Sequence, residues 1–166
     1  MGNYAEQLVK NCPIVQGVPP QNMQVFTSIV GTGVSLRQTD HASVIIQTGA
    51  WDPDTAAAVI VYEDTSVVPT VAQRLMFTRY WTNSANPASS ELVETACVGT
   101  FDLDTANATY VIEIDGDDLT AWQNYDCIRV MIGVAVGLKV NAYVSAMYVL
   151  GKTRHGGATM MDATID

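Results

Sequence analysis

The chain has 166 residues, 48% of them hydrophobic, which suits one globular domain burying roughly 70% of its extended surface and argues against disorder. Seventeen acidic residues against eight basic ones give a formal charge of −9, and the Lys and Arg residues are scattered singly; direct binding to nucleic acid, whose phosphates call for clustered cations, is disfavoured. Cys12, Cys97 and Cys127 form no close pair and leave one thiol over under any bridging scheme, which points to a reducing compartment rather than a disulfide scaffold.

The amino terminus, MGNYAEQLVKNCPIVQG, has neither the basic start nor the apolar run of a signal peptide. Tyr4 to Lys10 is predicted as one or two helical turns. Cys12-Pro13 and Gly17-Val18-Pro19-Pro20 then force an extended path, because proline disfavours helix in the residue before it. Residues 1–33 therefore read as an arm running over the surface, residues 34–151 as a β-sandwich domain, and residues 152–166 as a carboxy-terminal tail with Gly156-Gly157 and Met160-Met161.

From Val34 onward the pattern is one of short strands. They are predicted over Ala42–Thr48, Ala56–Glu63, Leu75–Thr82, Glu94–Phe101, Thr109–Asp115, Cys127–Val136 and Val140–Leu150, rich in Val, Ile, Tyr and Thr and punctuated by Asp, Asn, Gly and Pro. No long 3.6-period segment intervenes. The fold class is all-β: an antiparallel sandwich, jelly-roll-like, with an extended amino-terminal arm. The apolar stretch Ile128–Val140 is broken by Arg129, Gly133, Gly137 and Lys139, so no membrane-spanning segment is expected.

Two stretches are apolar on both faces. In NAYVSAMYVLG, Ala142, Val144, Ala146, Tyr148 and Leu150 face one way and Tyr143, Ser145, Met147 and Val149 the other; FTRYWTN carries Phe77, Tyr80 and Trp81. An outer strand of a lone sandwich alternates apolar-in with polar-out. Phe77, Tyr80, Trp81, Tyr143, Met147 and Val149 are therefore the expected contacts of an oligomer or a partner surface.

No residues make a strong catalytic pattern. Asp115, Asp117 and Asp118 around Gly116 offer hard oxygen ligands for Ca²⁺, but in the wrong spacing for an EF-hand; a solvated turn is the plainer reading, and no metal or other cofactor is expected. Asp40, His41 and Ser43 look like parts of a hydrolytic triad without the glycine-flanked nucleophile turn. Asp52, Asp54, Glu63 and Asp64 read as surface acids, although a glycosidase carboxylate pair draws on the same residue types. Trp51, Tyr80, Trp81 and Trp122 would stack on sugars only if exposed. An enzyme is not expected.

The strings TDHASVIIQTG (39–49), FTRYWTN (77–83), TYVIEIDGDDL (109–119), NYDCIRVMI (124–132) and VSAMYVLGKTRHGG (144–157) together resemble tailed-bacteriophage capsid decoration, or cement, proteins. The resemblance implies a jelly-roll-like sandwich on the exterior of the icosahedral head, a dimer or trimer that clamps neighbouring major capsid proteins. It also implies assembly in the bacterial cytoplasm and offers no catalytic residue. A head–tail connector, a tail component and a carbohydrate-binding module for host attachment are the alternatives.

Overall fold

The computed structural model describes residues 12–52, 55–68, 72–120, 124–134 and 141–153. The expected Tyr4–Lys10 turns and the tail beyond residue 153 lie outside the described residues. Within them, the alternation of β-branched and aromatic residues with small or polar ones is expressed as strands. In chain order these are β1 (Ile14–Asn22), β2 (Ser28–Val30), β3 (Val34–Ser35), β4 (Thr39–Thr48), β5 (Ala57–Asp64) and β6 (Gln73–Arg74). Then come β7 (Arg79–Thr82), β8 (Val93–Ala96), β9 (Thr100–Leu103), β10 (Thr109–Asp115), β11 (Cys127–Gly133) and β12 (Tyr143–Thr153).

The strands form two antiparallel sheets. Sheet A has the order β1-β12-β4-β10-β7-β8; sheet B has the order β2-β11-β5-β6, with β3 also on β11 and β9 also on β5. Pairing is concentric: β1 with β12, β2 and β3 with β11, β4 with β10, β5 with β9, β7 with β8. That is the pattern of one long antiparallel ribbon wrapped over itself, so that β4 also meets β12 and β5 meets β11. It is the jelly-roll way of building a sandwich.

The inward faces make one apolar core. Val44 and Ile46 of β4, Tyr110, Ile112 and Ile114 of β10, and Val144, Ala146, Tyr148 and Leu150 of β12 share it with Val59 and Val61 of β5 and Ile128, Val130 and Ile132 of β11. None of these is more than 2% exposed.

Two expectations are corrected here. Residues 14–30 are not an arm lying over the surface: β1 is a strand of sheet A and β2 a strand of sheet B. The reason is burial, since Val18, Met23 and Ile29 of this segment belong to the core. Pro19-Pro20 does not prevent pairing, because it falls at a register shift on an edge strand, where a missing N–H costs least.

The second correction concerns Leu75–Thr82 and Glu94–Phe101, each expected as one strand. Both switch sheets. Residues 75–78 pass from β6, paired with β5 in sheet B, to β7 in sheet A; the second stretch is β8 in sheet A followed by β9 in sheet B. The crossings are bound to each other by Cys97 N–H to the Thr78 carbonyl (2.9 Å) and Gly99 N–H to the Phe77 carbonyl (2.7 Å). Such corners need a bend.

Gly99 provides it, with φ of +64°. A Cβ there would sit 2.8 Å from Met76 Sδ. Gly99→Ala is therefore expected to destabilise the fold by about 1–2 kcal/mol through left-handed strain alone. A urea melt checks this: the midpoint should fall while the slope is unchanged.

Candidate interaction face on the outer side of sheet A

The strand alternation that fills the core also decides what sheet A shows on its other side. Cross-strand register aligns Gln16, Met147, Ile45, Val111, Trp81 and Glu94 in one row over six neighbouring strands. Its four central members are large and apolar. Val111 is 9% exposed because its neighbours flank it; Met147, Ile45 and Trp81 are half-buried. Polar residues would be expected on a face meant only for water. Ile14 (59% exposed) lies opposite Val149, and Tyr143 (49% exposed) lies opposite Asn22, extending the apolar character toward the β1 edge.

The six expected contact residues thus divide. Trp81, Tyr143, Met147 and Val149 lie on this outer face, but Phe77 and Tyr80 do not. Phe77 precedes β7, at the corner where strand parity is lost, and is buried. It makes an edge contact with Phe101 at 6.2 Å, and Tyr80 stacks on the same ring at 4.0 Å with 11° between planes. These two aromatics close the interior at the sheet-switching corner.

Beside the apolar row runs a polar one. Ser43 pairs with Val149 on one side and Glu113 on the other, and His41 pairs with Asp115. The Ser43 hydroxyl donates to Glu113 Oε2 at 2.7 Å. His41 Nε2 lies 2.5 Å from Glu113 Oε2, and Nδ1 lies 2.9 Å from Asp115 Oδ1. His41 therefore has Glu113 and Asp115 as carboxylate partners, a pairing set by the β4–β10 register and invisible from sequence spacing.

Ser43 Oγ is 3.4 Å from His41 Nε2, yet the group is not a poised nucleophile. Its proton is directed at Glu113, and it sits in the middle of β4, whose backbone is laddered to β10 and β12 on both sides. The β4 backbone beside it is taken up in those ladders rather than aimed at an oxyanion. Burial also pushes the Cys97 thiol above its ordinary value, the reverse of what an activated thiolate requires.

A cleft of about 330 Å³ opens where the corner meets this face, lined by Met76, Arg79, Trp81, Glu113, Asp115 and Asp118 among others. Its acids are partly committed. Asp118 accepts the Asp115 backbone N–H at 2.9 Å, capping the short turn Gly116–Asp118. Among the described residues no three His, Cys, Asp or Glu side chains converge on a point where a metal ion would sit. Asp117 is exposed. Arg79 pairs with Glu94 at 3.6 Å, both exposed, an interaction worth about 0–1 kcal/mol in water.

The remaining candidates are dispersed. Trp51 is 8% exposed, so it offers no stacking platform. Its indole N–H donates to the Thr55 carbonyl at 3.0 Å. Trp122 and Asp54 lie outside the described residues. Glu63 is buried, and its carboxylate accepts the Thr120 N–H (2.7 Å) and hydroxyl (2.5 Å), anchoring the loop after β10.

No protein-family model and no curated protein matches the chain. Among solved structures it is similar to the SPBc2 prophage-derived protein YomS, with 13% identity over 84% of this chain and 92% of that one and a TM-score of 0.43. A likeness that weak transfers nothing about function.

Proposed function

We propose that this chain is a structural virion protein of a tailed phage, a decoration protein that binds the outside of the icosahedral head and strengthens the contacts between major capsid proteins. The observation that carries this reading is the Met147–Ile45–Val111–Trp81 row on the outer side of sheet A. Covering it removes apolar surface from water, at roughly 25 cal/mol per Å². Repeated by symmetry over a shell, such modest contacts add up without any single strong bond. The net charge of −9 supports the exterior position, since an acidic protein does not compete for the packaged genome. The pattern shared with cement proteins is the second support.

The test is co-sedimentation of the purified full chain with expanded empty heads. Saturable binding at hundreds of copies per head, as shell symmetry requires, is the expected result, and Trp81→Glu should abolish it. A chain that ignores heads overturns the proposal; so does attachment of only about a dozen copies at one vertex, which is a connector's stoichiometry.

A further inference from the structure

Sheet B also has an outer face, and it complements that of sheet A. Its alternation brings Val30, Met131, Ile60 and Thr100 into one row across β2, β11, β5 and β9. Two residues further along lies a second row, Arg129, Tyr62 and Arg74. Val30 is 53% exposed, Met131, Ile60 and Tyr62 are half-buried and Arg74 is exposed. The Arg129 guanidinium lies over the Tyr62 ring at 5.5 Å, and its Nε has no hydrogen-bond partner although it is shielded from solvent. In a chain of net charge −9 with only eight Lys and Arg, two arginines flanking one tyrosine beside an apolar row form a distinct feature.

The outer face of sheet A has a similar layout with an excess of acidic groups, although Arg79, two residues from Trp81 on β7, lines the same cleft as Glu113 and Asp115, and His41 pairs with both of these acids. Its apolar row is Met147, Ile45, Val111 and Trp81; two residues further along come Val149, Ser43 and Glu113, with Asp115 beyond. In both faces the apolar row and the charged row are therefore about 7 Å apart, two residues of strand rise. β4 and β12 are ten and eleven residues long. At about 3.3 Å per residue and 4.8 Å per strand, the face of sheet A spans on the order of 700 Å² and that of sheet B, whose longest strands β5 and β11 have eight and seven residues, on the order of 400 Å². The smaller face limits the contact to about half of the roughly 800 Å² that one partner contributes to a standard interface, which makes it a weak one.

We infer that, away from the head, the occupant of the outer face of sheet A is the outer face of sheet B of a second copy of this chain, a contact that head binding through the same face displaces. The apolar rows lie on each other, and Glu113 and Asp115 meet Arg129 and Arg74. A two-fold contact through sheet A alone would leave Arg129 and Arg74 with no carboxylate from the second copy, whereas the head-to-tail contact brings both sets of charges together. Because every copy carries both faces, the contact propagates to a ring if its rotation closes and to an open stack if it does not. The inference rests on the structural reading above but is separable from it.

The experiment is sedimentation of the full chain over a range of concentrations, alone and as charge-reversal variants. Glu113→Arg spoils only the first face and Arg129→Glu only the second. Each should weaken self-association roughly tenfold or more. An equimolar mixture of the two should associate again, because one contact joins the two intact faces and the next joins the two reversed ones, whose charges are also opposite. Arg74→Glu, at an exposed position, repeats the second arm should Arg129→Glu fail to fold. Wild-type-like association of Arg74→Glu and folded Arg129→Glu, with Glu113→Arg dissociated, overturns the inference in favour of a two-fold contact through sheet A. A wild-type chain monomeric at all concentrations overturns it too, as do variants whose mixture fails to pair. If that monomer still saturates empty heads, only the head-to-tail contact has failed. If complementation succeeds but heads are ignored, only the decoration reading has failed.

Discussion

Tyr148→Phe is expected to lower the unfolding free energy by about 1–3 kcal/mol, the cost of leaving a buried backbone donor without a partner. The Tyr148 hydroxyl, on β12 of sheet A, accepts the Val130 N–H of β11 in sheet B at 2.8 Å. Val130 faces the break between β2 and β3, where no strand residue can take that N–H; its carbonyl is met there by Gly31 N–H at 2.8 Å. The phenol thus replaces one missing ladder bond and ties the two sheets through the core. Gly17 lets the ring in, since a Cβ at that position would stand 2.7 Å from it.

The same hydroxyl makes stability fall at high pH. Burial holds the Tyr148 pKa above the ordinary 10.0, despite the opposing effects of the Val130 N–H and the Arg129 charge. Above pH 10 the unfolded chain loses this proton while the folded chain keeps it. The stabilisation is complete below pH 10 and disappears as pH rises toward the folded value, at about 1.4 kcal/mol per pH unit. Burial raises Tyr80 and Tyr110 as well, so Tyr148→Phe should flatten the alkaline limb of a stability–pH curve without abolishing it. Chemical denaturation at pH 8 and at pH 11 measures both effects. Equal losses in the variant and the parent between those pH values would assign the limb to other groups.

How far the molecule was legible from its sequence depended on whether a residue's role was local. The strand TYVIEID was read to the residue, because period-2 alternation between a core and an outer face is a property of seven consecutive positions. So was the two-sided character of β12, whose outward residues Tyr143, Met147 and Val149 are where the alternation puts them. The amino-terminal segment was misread because proline and glycine spacing reports local backbone, whereas β1 and β2 owe their place to partners over a hundred residues away. The corner residues failed for a related reason. Alternation assigns Phe77 and Trp81 to one face only if the strand between them is continuous, and it is not. The His41–Asp115 contact needs a register that no local pattern encodes. The apolar row on sheet A is of the same kind: one residue from each of four strands, visible only after pairing.

That distinction between corner and face leads to the sharpest contrast in expected behaviour. Phe101, 6% exposed on β9 of sheet B, stacks on Tyr80 and Tyr110 of sheet A at 4.0 and 5.6 Å and meets Phe77 edge-on. Removing it opens a cavity between rings carried by both sheets, and Phe101→Ala should destabilise the protein by about 3–5 kcal/mol. Trp81 is the larger side chain and lies next to Tyr80 in sequence, yet it projects from the opposite side of β7. In Trp81→Ala the vacated space opens to solvent rather than into the core, so the isolated fold should lose no more than about 1–1.5 kcal/mol. Association should suffer far more, because large aromatic side chains dominate interface energetics. Thermal melts of both variants, beside their sedimentation, test the pair. Comparable destabilisation by the two substitutions would place Trp81 in the interior and remove the physical basis for an interaction face on sheet A.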